Sequence, residues 1–392
     1  MSRFNPDIFR WARDSAGLTV DEAASALHIK AASLEAVESG QDSPSRPLLL
    51  RMSKTYRRSL LAFYLPAPPV KGDRGQDFRT VSPDQSVNAD FDIDALVRDL
   101  KMRQSLVKSI LEDDEDGSPV RFVGSAAMSM GVRNISISIQ KTLGLDRHAF
   151  RKQRNAESAF ALLRTKIEEA GVFVLLIGNL GSHHSAIPVE AFRGFAIADP
   201  VAPFIVVNDQ DAKTAWSFTL LHELVHLWLG ATGVSGGRYE QQIEQFCNAV
   251  AADILLPADE IANLQITHLS LADQIVIISN QASEWNVSRQ MLAYGLFKNG
   301  NISRAEWQSL DGKLREIWIA EKQRDKELQK TKRTKPTYYV VRRHRLGPAI
   351  LAFANRSLTA GTLSPSKAAM VLGVNTRSVF PLLKPTVSQE IA

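Results

Sequence analysis

Residues 216–230, Trp-Ser-Phe-Thr-Leu-Leu-His-Glu-Leu-Val-His-Leu-Trp-Leu-Gly, form the stretch around which the rest of the chain must be arranged. It reads as an apolar helix carrying His222-Glu223-x-x-His226. On a helix, positions i and i+4 lie one above the other, so His222 and His226 face the same way and can grip one metal ion. Glu223 stands about 100° further around the axis. Two imidazoles on a metal with a carboxylate beside them are the groups with which zinc sites activate water. The pattern asks for a third ligand from elsewhere in the chain.

Residues 239–257 offer one. Ile243, Phe246, Cys247, Val250 and Ile254 recur at helical spacing, and Pro257 closes the segment. The glycine-rich reversal at 230–237 lets this second helix lie antiparallel to the first. Its polar stripe, Glu240, Glu244 and Asn248, then faces the histidines. Glu244 is taken as the ligand, with Glu240 as the alternative. Asn248 is its outer partner, hydrogen-bonding a histidine nitrogen and fixing the tautomer.

With these residues in view, the chain resembles the ImmA/IrrE family of metallo-endopeptidases. That family's pattern is a Thr-x-x-His-Glu-x-x-His helix followed by Glu-x-x-Ala-Asn-x-Phe-Ala-Ala-x-Leu-Leu-Met-Pro. Thr219 stands at the matching place, while Cys247, Val250 and Leu256 replace Ala, Phe and Met. Asp77-Phe78-Arg79-Thr80, after a Pro-rich linker, also resembles members that carry an N-terminal helix-turn-helix of the XRE type. The resemblance implies one Zn2+ per chain held by His222, His226 and Glu244, with Glu223 as general base and Thr219 and Asn248 in support. It implies an intracellular endopeptidase. The substrate would be a DNA-binding repressor or antitoxin, cut to release stress-response or mobile-element genes, and homo-oligomers are an associated expectation. The competing reading is a helix-turn-helix regulator or antitoxin-like binding module whose zinc is structural or sensory.

The chain has 392 residues, 44% of them hydrophobic, enough for two or three domains with a sizeable core. No apolar run approaches the roughly 20 residues that span a bilayer. The start, Met-Ser-Arg-Phe-Asn-Pro-Asp, lacks the apolar core of a signal peptide, and Cys247 is the one cysteine. Both point to a cytoplasmic protein. Cys247 is expected to be a small buried residue. The formal charge of +5 is unevenly spread: residues 313–345 carry twelve Lys/Arg and four Asp/Glu, a local +8 that leaves −3 for the rest. Such a run is a solvated helix and linker that adds salt-dependent affinity if another part already touches DNA.

Within residues 1–65, Val20, Ala23, Ala24 and Leu27 stand at helical spacing behind Thr19 as N-cap. The spacing Ala24-x3-His28-x5-Leu34 is that of a helix-turn-helix, with histidine where glycine is usual. Its second helix offers Lys30, Ser33 and Glu35 with alanines between them. That is a poor set for reading bases, so residues 18–40 are read either as a DNA contact or as a partner-docking module. Residues 66–80 are a Pro/Gly-rich linker, followed by an amphipathic helix through Ile93, Leu100 and Leu111. An acidic turn at 112–117 follows.

The peptidase domain is expected over 81–300. Helices near 123–143 and 156–170 lead into strands at 172–177, 195–198 and 204–207. Either later strand is a candidate edge for pairing with an extended substrate. Tyr239, His183 and His184 are candidate oxyanion stabilisers. Residues 287–292 repeat a helix-turn-helix-like pattern, and residues 301–392 hold the basic segment and a last copy, Ala369-x3-Gly373-x5-Val379. There Pro381 and Pro385 are expected to truncate the final helix, favouring a capping or partner-binding module over DNA contact. The expected class is α+β and mostly helical. A helix-turn-helix bundle precedes a zincin-like (gluzincin) domain with a small mixed sheet and a helical C-terminal region.

Overall fold

Reciprocal capping starts the N-terminal bundle where the sequence placed it. Thr19 accepts from Glu22 N while the Glu22 carboxylate accepts from Thr19 N at 2.9 Å, opening one helix of the first unit. The computed structural model describes residues 4–58, 60–68, 87–113, 118–180, 185–230, 238–266, 268–331 and 337–384. The chain divides into two units. One comprises Met1–Arg74, Arg79–Leu100 and Asn179–Phe192; the other comprises Gly75–Phe78, Lys101–Gly178 and Arg193–Ala392.

The first unit holds α1 (Pro6–Asp14), α2 (Val20–Leu27), α3 (Ala31–Glu38), α4 (Arg46–Thr55) and a 3-10 turn at Leu60–Tyr64. Ile8, Phe9, Leu27, Leu34, Leu49 and Met52 meet in its core. His28 adopts the left-handed conformation (φ 54°, ψ 48°) and turns α2 into α3, with Ile29 N donating to Ala24 O at 3.0 Å. Inside the bundle Arg13 of α1 grips Glu38 of α3 through two bonds of 2.7 and 2.9 Å, which raises the guanidinium pKa despite the burial that opposes it. Helix α5 (Val87–Asp113) buries Ile93, Leu96, Leu100 and Val107. The linker residues 69–80 and residues 114–117 of the acidic run lie outside the described residues.

The second unit continues with α6 (Val132–Leu143), α7 (Arg147–Arg151), α8 (Ala156–Glu169), β1 (Phe173–Leu176), β2 (Gly194–Ile197), β3 (Phe204–Val207), α9 (Lys213–Leu229) and α10 (Arg238–Leu255). After these come α11 (Ala258–Ala262), α12 (Leu271–Glu284), α13 (Arg289–Lys298), α14 (Arg304–Thr331), α15 (Tyr338–Leu346), α16 (Pro348–Thr359), α17 (Pro365–Leu372) and α18 (Thr376–Leu383). The three strands form a mixed sheet in the order β1-β3-β2. β1 runs parallel to β3 with Phe173 opposite Phe204, and β2 runs antiparallel with Gly194 opposite Val207. The fold is therefore α+β, mostly helical, with a small mixed sheet and a helical C-terminal region. Among the described residues no helix is long and apolar enough to cross a membrane.

Three expectations change. β3 is central, so only β2 of the two later strands offers a free edge. The helix expected from residue 123 begins at Val132, because the preceding segment has another task. Gly124 N and Ala126 N donate to Leu227 O and Trp228 O at 2.9 and 3.0 Å, capping the end of α9, and Phe122 stacks on Trp228. Pro381 does not truncate the last helix: α18 runs through it to Leu383 and has eight residues, as α3 does.

Candidate metal centre

α9 is buried along most of its length, as an apolar helix in a core must be. His222 is 0%, Glu223 1% and His226 3% exposed, so each of these polar groups has been taken out of bulk water. α10 packs against α9 through Cys247, Val250, Ala251 and Ile254, and Cys247 is a free, buried thiol. Arginines set the placement of α10 along its axis. Arg147 donates to Ile254 O at 2.8 Å and Arg151 to Leu255 O at 3.0 Å, satisfying carbonyls at its C-terminal end, and both pair with Glu260. Asp253 pairs with Arg133 of α6 at 3.2 Å and accepts from Ser136.

Held in this way, α10 brings Glu244 to the histidines. His222 Nε2 lies 3.3 Å from Glu244 Oε2, His226 Nε2 lies 3.3 Å from Glu244 Oε1, and the two Nε2 atoms are 3.2 Å apart. Ligand bonds of ~2.0–2.1 Å in a tetrahedron place donor atoms about 3.3 Å apart. The three residues therefore fit a zinc ion in both chemistry and spacing. Among the described residues the cluster has these three donors and no fourth. Structural zinc sites are closed by four protein ligands, whereas three leave a position open. Glu244 is 23% exposed at its side chain, so the cluster meets solvent on the α10 side.

Residues 181–297 match the family model of the IrrE N-terminal-like domain of peptidase family M78, and residues 8–61 match that of a helix-turn-helix domain. This is the ImmA/IrrE architecture behind a helix-turn-helix. No curated protein and no solved structure matches the chain.

Around the ImmA/IrrE cluster, Glu223 points toward β2. A Cβ built on Gly194 would lie 2.7 Å from Glu223 Oε1, 2.7 Å from Thr219 Cγ2 and 2.9 Å from Val206 O. Only glycine lets the strand approach the carboxylate this closely. Thr219 is thus buried one turn before Glu223 and shapes the same crowded spot. Gly194 is a positioning residue that the sequence reading did not single out. The available signal was a glycine opening an apolar strand, which marks close backbone approach. Gly194→Ala is expected to displace Glu223 or the strand, lowering turnover about tenfold or more, since small misplacements in catalytic sites carry costs of that order. Metal content should stay near that of the wild type, so parallel metal analysis and cleavage assays check the assignment.

Asn248 is half-buried on α10, one turn after Glu244. The side chains of Tyr239 and Glu240, and residues His183 and His184, lie outside the described residues. Lys30, Ser33 and Glu35 are exposed at the start of α3 in the first unit.

Proposed function

We propose that the chain is a zinc-dependent endopeptidase in which His222, His226 and Glu244 hold the ion and Glu223 is the general base. The observation that carries this reading is the cluster itself. Three donors lie 3.2–3.3 Å apart, and a buried carboxylate stands next to them in sequence without being one of them. When bound, zinc supplies a Lewis acid that acidifies a water and polarises a carbonyl. Glu223 takes the proton of the attacking water and hands it to the nitrogen of the departing amine, so that the peptide C–N bond breaks and no net proton is consumed. Gly194 and Thr219 keep that carboxylate in place. Asn248 steadies the ligand set from α10.

The free edge of β2 supports a protein substrate. Among the described residues no strand pairs with its outer side, and an extended peptide adds there by main-chain hydrogen bonds. The likeness to ImmA/IrrE enzymes supports a helix-turn-helix repressor or antitoxin as that substrate, cut in the cytoplasm to release stress-response or mobile-element genes.

The test is a substrate trap. Glu223→Gln keeps the shape of the side chain and removes the base, so the variant should retain a helix-turn-helix protein that wild-type chain converts to fragments. If wild type and variant retain the same proteins and neither produces fragments, the protease reading fails and the regulator with a structural or sensory zinc replaces it.

A further inference from the structure

The backbone of α2–α3 occurs twice more in this chain. At its first turn His28 is left-handed and Ile29 N donates to Ala24 O at 3.0 Å. Between α12 and α13, Asn286 has φ 56° and Val287 N donates to Ala282 O at 3.0 Å. Between α17 and α18, Gly373 has φ 59° and Val374 N donates to Ala369 O at 2.9 Å. In each, an alanine precedes the left-handed residue by four and a buried apolar residue follows it by six: Leu34, Leu292 and Val379. These are three helix-turn-helix units of one geometry, of which the matched domain model covers the first.

Their outward faces differ. On α3 the exposed positions are Ala32, Ser33 and Glu35, with one cation, Lys30, at the N-cap. On α13 the equivalent face is covered. Gln290 donates to Asp311 at 3.0 Å, Arg289 pairs with Glu321 at 3.0 Å, and Phe297 stacks on Trp307, all from α14. On α18 the matching positions are Thr376, Arg377, Phe380 and Lys384, all exposed, and Lys367 of α17 is exposed as well. Residues 338–384 contain seven Lys/Arg and no Asp or Glu. Two of the seven brace the unit from α15. Arg342 donates to Leu372 O and Gly373 O at 2.8 and 2.7 Å, and Arg343 to Leu382 O and Pro381 O at 2.7 and 2.8 Å. Among the described residues no carboxylate pairs with Lys367, Arg377 or Lys384.

We propose that this C-terminal helix-turn-helix, with α18 as the groove-facing helix, is a duplex-DNA-binding surface of the chain. Helix-turn-helix units read base edges with the first turn of their second helix, where α18 presents Thr376 and Arg377. Lys367 and Lys384 flank that turn as phosphate contacts, and the lack of any acid removes the repulsion that Glu35 brings to α3. Phe380 is the apolar member of the stripe, suited to a thymine methyl. Pro381, within α18, leaves the helix at the length found in α3. The mixture of exposed cations with one aromatic is charge-complementary to a polyanion.

The test uses the full chain and a fluorescent mixed-sequence duplex of about 30 base pairs, followed by anisotropy between ~50 and ~200 mM salt. R377E/K384E is expected to bind at least about tenfold more weakly than wild type, with the log–log salt slope lower by about 2, since each phosphate contact contributes about 0.9. R377K/K384R, which preserves the charge, should keep the wild-type salt slope. Lys30→Glu in the first unit should change affinity less than the C-terminal double variant does. The proposal is overturned if wild type does not bind at low salt, if R377E/K384E binds as tightly as wild type, or if Lys30→Glu alone removes binding.

Discussion

Glu223→Gln is expected to leave zinc near one per chain and to lower peptide cleavage about 10²–10⁴-fold, the usual contribution of a positioned general base. The separation of the two effects follows from the geometry. Glu223 is 1% exposed and packed against the Gly194 position and Thr219, so an isosteric amide fits where other side chains would crowd the strand. The ligand atoms belong to His222, His226 and Glu244, and substitution at Glu223 leaves all three in place. Glu244→Ala should behave oppositely, losing metal first and activity as a consequence. Zinc content and turnover at saturating substrate distinguish the variants. A fall in zinc for Glu223→Gln would make that carboxylate a ligand, and unchanged turnover would deprive it of its proposed role.

The metal cluster was legible because its information is local. The i, i+4 spacing of His222 and His226 fixes their shared face on any helix, and the Glu244–Asn248 stripe follows the same period on the next one. Gly194 was not legible in this way. Its role depends on the register of β2 and on how the sheet sits over α9, a contact between residues almost thirty positions apart. The start of α6 was misplaced for a similar reason. Residues 122–126 have helix-compatible side chains, but their amides are drawn to the last carbonyls of α9. Pro381 misled through a local rule, since the proline lacks an N–H yet α18 tolerates it near its end while Val379 and Leu382 remain buried. The three helix-turn-helix spacings could be counted from sequence alone. Whether each outer face is open, covered by α14 or acidic depends on tertiary packing and on the identity of exposed residues that periodicity ignores.

Arg164→Ala is expected to destabilise the second unit by about 3–5 kcal/mol, the usual consequence of stranding one member of a buried ion pair. Arg164 and Glu168 have side chains 6% and 4% exposed and pair at 3.1 Å. The guanidinium also donates to Val174 O on β1, to His344 O at 2.6 Å and to Arg345 O at 3.2 Å, while Glu168 Oε2 accepts from Ala349 N at 3.1 Å. The pair therefore ties β1 to α15 and to the start of α16. Burial already pushes the Glu168 carboxyl up from its ordinary value of 4.5, with Arg164 opposing that shift. Without the arginine only the Ala349 amide and Val174 still oppose it, so the folded pKa rises further. An acid whose folded pKa is raised destabilises the fold above that pKa and loses the effect once pH falls below its unfolded value, where both states are protonated. The deficit of Arg164→Ala should accordingly be largest near neutral pH and shrink below about pH 4.3. Chemical unfolding at both pH values checks this, together with the double variant Arg164→Met/Glu168→Leu. That variant removes both charges while filling the space, and it should recover most of the loss because no uncompensated charge remains. If the double variant is no more stable than Arg164→Ala, the carbonyl bonds to β1 and α15, rather than the ion pair, carry the stability of this junction.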